Sequence, residues 1–363
     1  MMTPESLDYR PDYAVPPGET LLEALADRDM TQVELARRMS RPKTTINEIV
    51  KGKAAITPET ALQLEAVLGV PAGFWLNREA RYREVLARHA RLDELVAETK
   101  RVSDFPYASL VKLGFVSASR RPEEKVESLR SFFGVDSLAK LDGRYAAVLR
   151  VARTKQPSPG ALMAWLRIGE LRAQELQVAD FDQTLLIDRI PALRALTLLA
   201  PPQAGQRLRA IMAECGMHLV YVPHLPQTYA HGATRWYAGR PLIQLSVRGK
   251  WEDIFWFSLF HEIGHILRGH SRKETLIAWD GKDRKDAQEL EADQFAADTL
   301  IRPDDYESIK QLPCYSGTAV REFAAEIGVC PGVVVGRLQN DNLLPHAHLN
   351  NLRRKLQIVP TAE

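Results

Sequence analysis

The pattern of apolar and polar positions divides the chain into an all-helical front and a mixed back. In residues 18–84, apolar residues recur three and four apart between distinct helix start and stop signals. Thr31 with Glu34 reads as a capping box, in which the hydroxyl takes an orphan backbone N–H and the carboxylate answers from the third helical position. Thr57 followed by Pro58 starts another helix, and Gly69 ends it. Residues 85–125 carry mixed charge, a helical pattern through "ARLDELVAETKRV" and a break at "DFPYA", and read as a connector. Residues 125–222 are mostly helical in pattern, as in "EEKVESLRSFFGV" and "GALMAWLRIGELRAQEL". "GMHLVYVP" (216–223) is rich in β-branched and aromatic residues and predicts a strand. "PLIQLSVRG" (241–249) alternates, with Ile243, Leu245 and Val247 on one face. An apolar helix is expected over 252–268 and a second over 286–301, the latter burying Leu290, Phe295, Ala297 and Leu300. A last helical segment covers 318–340.

Composition narrows the class. The chain has 363 residues, 45% hydrophobic and 26% charged, as in a globular protein of two or three domains. Net charge is only +2, so any contact with nucleic acid must come from a local patch. Three cysteines at unremarkable spacings argue against a disulfide framework and exclude a cysteine-rich zinc site. The polar start "MMTPESLDYRPDYAVPPGE" lacks the build of a signal peptide, and no apolar run approaches the ~18 residues that span a bilayer. The expected location is the cytoplasm, with no membrane partner.

"QVELARRMSRPKTTINEIVKGK" (32–53) has helix-turn-helix spacing. Ala36 is small where two helices cross, Ser40 lies in the turn, and Ile46 plugs the space between the helices. The second helix runs from Pro42 to before Gly52. Lys43, Thr44, Thr45, Asn47 and Lys51 point outward, the residue types that reach phosphates and base edges from a recognition helix. Arg37, Arg38, Arg41 and Lys53 complete a basic cluster opposed nearby only by Glu34 and Glu48. Arg41 joins the outward residues as a candidate contact to double-stranded operator DNA, and such domains usually bind paired half-sites as homodimers. With "PGETLLEAL" and "TINEIVKGKAAITPETALQLEAVLGVPAGFWLNREARYRE", residues 16–84 resemble the XRE-type domain of HigA-like antitoxins. Ser40 departs from the usual turn glycine. The resemblance implies a repressor of its own promoter that neutralises a partner toxin.

"FHEIGHILRGH" (260–270) places His261 and His265 one helical turn apart on one face, where both rings reach one zinc ion at about 2.0–2.1 Å. Glu262 is rotated by about 100° from His261. It reaches the water on the metal rather than the metal, as a general base. A histidine-rich extended motif is excluded, because residue 268 is Arg and residue 271 is Ser. His270 lies about 140° off the face of His265 on a continuing helix and is a poor ligand unless the helix breaks at Gly269. The third ligand is therefore expected to be a carboxylate of "DAQELEADQFAADTLIRP", which offers Glu289 and Glu291. His231 and Arg235 in "AHGATRW" are candidate oxyanion stabilisers, Arg235 equally a partner for a structural carboxylate. "PLIQLSVRG" is a candidate edge strand that pairs with extended substrate.

Over roughly residues 200–310, "GATRWYAGRPLIQLSVRGKWEDIFWFSLFHEIGHILRGH" and "ELEADQFAADTLIRP" resemble the ImmA/IrrE metallopeptidases. The resemblance implies one zinc ion per chain, with Glu291 of the E-A-[ND] segment as third ligand and Glu289 as runner-up. It makes Asp293 a candidate to orient a ligand. It also implies cleavage or inactivation of an XRE-type repressor in a stress, phage or toxin–antitoxin circuit. The other reading is a non-catalytic, HigA-like autorepressor whose zinc domain is a sensor or partner-binding scaffold.

"VREFAAEIGVCPGVVVGRLQ" (320–339) repeats the N-terminal spacing, with Ala324, Gly328 and Val334 for Ala36, Ser40 and Ile46. Its outward residues, Pro331, Gly332, Val333, Val335 and Gly336, offer DNA no donor or charge, so it reads as a packing or partner surface. The expected order is a flexible arm (1–17), an all-α helix-turn-helix domain (18–84) and a helical connector (85–125). An α+β zincin-like metallopeptidase domain (126–310) follows, then a helical C-terminal segment (311–363).

Overall fold

The computed structural model describes residues 14–145, 158–246, 251–270, 275–279, 287–312 and 314–356. The chain forms two compact units, residues 1–99 and 100–363. Among the described residues, no helix is long and apolar enough to cross a membrane.

The first unit is five helices: α1 (Pro17–Ala26), α2 (Gln32–Arg38), α3 (Lys43–Val50), α4 (Pro58–Leu68) and α5 (Ala72–Glu98). Leu21, Leu35, Ile46, Ile49, Leu64 and Trp75 are buried at its centre, and Ala36 sits among them. Thr31 caps α2 through the N–H of Glu34 at 3.2 Å. The Glu34 carboxylate does not return the bond; it pairs instead with Arg37 and Arg38. Ser40 adopts a left-handed turn with φ of 51°, the conformation that glycine would take most easily. Helix α5 runs through the boundary expected at residue 84. It holds no proline, and its exposed face carries the Glu84–Arg88 pair one turn apart.

The second unit begins with α6 (Tyr107–Lys112), α7 (Pro122–Phe133), α8 (Leu141–Arg144), α9 (Pro159–Gln174), α10 (Gln183–Ala195) and α11 (Pro201–Glu214). A four-stranded sheet follows in the order β1-β3-β2-β4: β1 (His218–Tyr221), β2 (Ala230–Tyr237), β3 (Arg240–Leu245) and β4 (Leu276–Trp279). β3 is parallel to β1 and antiparallel to β2, and β2 is antiparallel to β4. The expected substrate strand is therefore corrected: β3 is internal, and its main-chain groups already serve β1 and β2. Val247, at its far end, lies outside the described residues.

Helix α12 (Glu252–Leu267) packs on one face of the sheet and α9 on the other. Successive residues of β2 record this: Thr234 bonds Glu262 of α12, and Arg235 bonds the Leu166 carbonyl of α9. Helix α13 (Ala287–Leu300) lies against α12, where a side chain on Gly264 would meet Phe295 at 3.1 Å and the Ala292 backbone at 3.3 Å. The small residues Gly264, Ala292 and Ala296 set the close approach. Ala292, Ala296, Ala297 and Leu300 are buried, whereas Leu290, expected inside, is 46% exposed.

Helices α14 (Pro303–Lys310), α15 (Gly317–Ile327) and α16 (Pro331–Asn340) complete the unit. Val320, Ala324, Val334 and Leu338 share one core with Leu259 and Phe260 of α12, so the segment after residue 310 is built into the same body as the motif helix. The C-terminal strand of chain then holds the start of α12. Arg353 makes a two-pronged pair with Asp253 at 2.8 and 2.7 Å, and Arg354 pairs with Glu252.

Candidate metal centre

Three donors meet between α12 and α13. Nε2 of His261 and Nε2 of His265 are 3.0 Å apart. The Glu289 carboxylate lies 3.4 Å from the first and 3.5 Å from the second. Ligands at about 2.0–2.2 Å from a tetrahedral metal sit roughly 3.3 Å from one another, so the donor set fits zinc in size and type. Among the described residues, these three form the one group close enough to hold such an ion.

The outer nitrogens fix the ring states. Nδ1 of His261 donates to Asp293 at 2.8 Å, which leaves the Nε2 lone pair facing the cluster. Nδ1 of His265 is 3.2 Å from Nδ1 of His270, whose Nε2 lies 3.4 Å from Glu291. Two lone pairs aimed at each other need a cation between them, either a proton or a metal. Without metal a single proton serves. Burial opposes charge on His261, but Asp293 and Glu289 outweigh it and raise its pKa to about 10. Burial and the charge on His261 push His265 down to about 3.

Glu262 points from α12 into the sheet and is 1% exposed. Its Oε2 accepts from the Thr234 hydroxyl at 2.5 Å. Its Oε1 has no hydrogen-bond partner among the described residues. Burial raises its pKa to about 7, against the pull of His261 and Thr234. A buried carboxylate with one oxygen held and one open is suited to taking and releasing a proton near neutrality.

Two candidates are displaced from their expected roles. Glu291 faces His270 and not the cluster. It is two residues from Glu289, about 200° round the helix, so the two cannot share a face. Arg235 lies on the opposite face of β2 from Glu262, bonded to the Leu166 carbonyl and 4.0 Å from Glu170, so it cannot serve as an oxyanion donor there. His231 falls at the β-bulge between Ala230 and Gly232, outside the three-donor group.

In the first unit, Lys43, Thr44 and Lys51 are exposed on or beside α3, and Thr45 and Asn47 are half-buried. Arg41 is drawn instead onto α4, where it donates to Gln63 at 2.5 Å and pairs with Glu59 at 3.3 Å.

Residues 21–75 match the helix-turn-helix family, and residues 215–339 match the IrrE N-terminal-like domain of the peptidase M78 family. The chain joins these two domains. This chain is 38% identical over 61 residues to the "Uncharacterized HTH-type transcriptional regulator YddM" of Escherichia coli (strain K12). That match covers 17% of this chain and 65% of the relative, just under two thirds of its length. An addiction module antidote protein of the HigA family from Coxiella burnetii is 31% identical, with 25% of this chain and 91% of that chain covered at a TM-score of 0.20. The antitoxin HigA of Pseudomonas aeruginosa, solved with the higBA promoter, is 30% identical, with 22% and 86% covered at a TM-score of 0.21.

The IrrE-like domain spans β1 to α16, so it takes in the α15–α16 pair that lies beyond residue 310. Within it, Thr234 is a site residue that sequence reasoning missed, because a threonine in a short buried strand carries no spacing signal. Asp293, beside His261, and Glu289, one turn earlier, share one face of α13.

Proposed function

We propose that this chain is a DNA-binding transcriptional regulator whose IrrE-like domain is a zinc-dependent endopeptidase. The observation that carries the reading is the convergence of His261, His265 and Glu289 beside a buried Glu262 with one unpartnered oxygen. His261, His265 and Glu289 would hold the zinc, with Asp293 and His270 orienting the two rings. Bound there, zinc supplies a Lewis acid for the peptide carbonyl and lowers the pKa of water toward about 7. Glu262 takes the proton of the attacking water at Oε1 and delivers it to the leaving amine, while Thr234 holds Oε2.

The helix-turn-helix domain brings this activity to an operator. Lys43, Thr44, Thr45, Asn47 and Lys51 of the α3 region form its reading surface, and the domain binds paired half-sites as a homodimer. The substrate class is a repressor protein of the XRE type, cleaved in a cytoplasmic stress, phage or toxin–antitoxin circuit. The resemblance of residues 16–84 to the XRE-type domain of HigA-like antitoxins supports that setting, with a toxin as a further partner.

The test compares wild-type protein with Glu262→Gln and Glu289→Ala. Metal content is measured by mass spectrometry, and cleavage of purified candidate repressors by gel. Glu262→Gln retains zinc and loses cleavage; Glu289→Ala loses both. Unchanged cleavage or derepression in zinc-loaded Glu262→Gln would leave the domain as a zinc-bearing scaffold and end the peptidase reading.

A further inference from the structure

On the face of β2 away from the metal centre, three arginines surround one carboxylate. Glu170 accepts through a single oxygen from Nη2 of Arg144 at 3.0 Å and Nη1 of Arg167 at 2.7 Å. Its other oxygen is 4.0 Å from Nη1 of Arg235. The same guanidinium groups also reach main-chain carbonyls: Arg144 to Phe133, Arg167 to Phe132 and Arg235 to Leu166. Carbonyl dipoles solvate a cation but do not neutralise it. Among the described residues, the cluster therefore holds three positive charges against one negative. The 146–157 stretch that follows Tyr145 contains no Asp or Glu. The side chains of Arg167 and Arg235 are 13% and 9% exposed, so bulk water does little to screen them. Uncompensated charge at such depth is costly.

Two donors in the cluster are also unspent. Tyr145 Oη and Arg235 Nε have no hydrogen-bond partner among the described residues, and the two residues are 6% and 7% exposed. The Arg144 guanidinium lies over the Tyr145 ring, 5.6 Å from its centre, which places the phenol beside the cluster. Buried donors are normally satisfied, and each exception calls for an acceptor. Arg144 provides the route in, since 40% of its side chain is exposed to solvent.

We propose that this cluster is a binding site for a small oxyanion, a carboxylate or a phosphate group, received by Arg144, Tyr145 and Arg235. The planar guanidinium fork matches either group through paired N–H donors. An occupant removes the charge excess and uses the two spare donors at once. Arg235 directly follows Thr234, whose hydroxyl holds Glu262 on the other face of β2. An anion at this site thus touches the strand that positions the proposed base. The site does not depend on the peptidase reading, because none of its residues belongs to the metal centre.

Isothermal titration calorimetry of the full-length protein, at fixed ionic strength in chloride buffer, tests it with inorganic phosphate and with succinate in separate titrations. Saturable one-to-one binding of phosphate alone assigns the site to phosphate groups, and of succinate alone to carboxylates. Arg144→Ala and Tyr145→Phe are each expected to weaken that binding by roughly tenfold or more. Arg121→Ala, at a side chain 79% exposed elsewhere on the unit, leaves it unchanged. Arg144 is open to solvent, so its truncation spares the fold, which circular dichroism checks. Absence of saturable heat with both anions, or wild-type affinity in folded Arg144→Ala and Tyr145→Phe, overturns the proposal.

Discussion

Replacing Glu289 and Glu291 in parallel separates the proposed metal ligand from its near neighbour. Both are acidic, both lie on α13, and only two residues separate them. Glu289 is within 3.4–3.5 Å of both Nε2 atoms, whereas Glu291 meets His270 at 3.4 Å with a side chain 53% exposed. Structural zinc sites with four ligands are worth about 10–16 kcal/mol, or roughly 2.5–4 kcal/mol per ligand. Removing one of three protein ligands should therefore weaken zinc binding by roughly 100- to 1000-fold. Glu291 acts only through His270 and then His265, and its exposed pair with a histidine is screened. Glu291→Ala should cost at most about tenfold, the low end for a residue that orients a ligand. The assay is competition for zinc against a chromophoric chelator at fixed pH, with Glu289→Gln included to keep side-chain size. Far-UV circular dichroism confirms that α13 survives, as expected for a residue whose side chain is 33% exposed. Zinc loss in Glu291→Ala with retention in Glu289→Ala would refute the geometric argument, and with it the helical phase assigned to α13.

Further substitutions probe the parts around the metal. Thr234→Val leaves Glu262 with both oxygens unpartnered, so turnover should fall by about 10- to 100-fold with zinc content unchanged, measured on the same samples. Gly264→Val drives a side chain into Ala292 and Phe295; a loss of about 1–3 kcal/mol in a denaturant titration and weaker zinc binding are expected, and an unchanged midpoint would contradict the close helix approach. Arg353→Ala strands Asp253, 8% exposed, without its two-pronged partner and should destabilise the unit by about 3–5 kcal/mol, with much of this recovered in the Asp253→Asn, Arg353→Ala double variant. In gel-shift titrations, Lys43→Ala should lower the log–log salt slope of operator binding by about 0.9. Arg41→Ala, whose side chain is bound to Gln63 and Glu59, should change that slope less.

The helices were legible where a cap or a turn residue marks them. Thr31, Thr57 and Gly69 stand where their chemistry demands, and Ser40 accepts the strained turn that its position in the spacing implied. β2 was not anticipated. Its "AHGATRWY" is low in β-branched residues, and five of its eight positions are buried, so no alternation of apolar and polar residues survives. The edge position expected for β3 failed for a topological reason, since strand order depends on long-range pairing that no local pattern encodes. At the proposed metal centre, helix geometry alone put His261 and His265 on one face, and the structure brings their Nε2 atoms to 3.0 Å. Glu291 was expected from the resemblance of its E-A-[ND] segment and not from helix phase; in the structure Leu290 is exposed, and Glu289 and Asp293 face the histidines.

The C-terminal helix pair shows how one spacing serves two ends. In the first unit, the second helix of the pair keeps Lys43 and Thr44 exposed. In α16 the matching surface is stripped to Gly332, Val333, Val335 and Gly336, and the glycines are where the acidic start of α12 fits. A side chain on Gly332 would come within 2.5 Å of Glu252, and one on Gly336 within 2.3 Å of Asp253. Those two carboxylates sit at the positive end of the α12 dipole, where negative charge is favoured. Arg354 and Arg353 then balance them from the C-terminal strand of chain. Nine residues further along α12 stand His261 and Glu262, so whatever fixes the start of this helix also fixes the phase and depth of that turn. The bare backbone at Gly332 and Gly336 is what lets this surface seat the helix that carries His261 and Glu262.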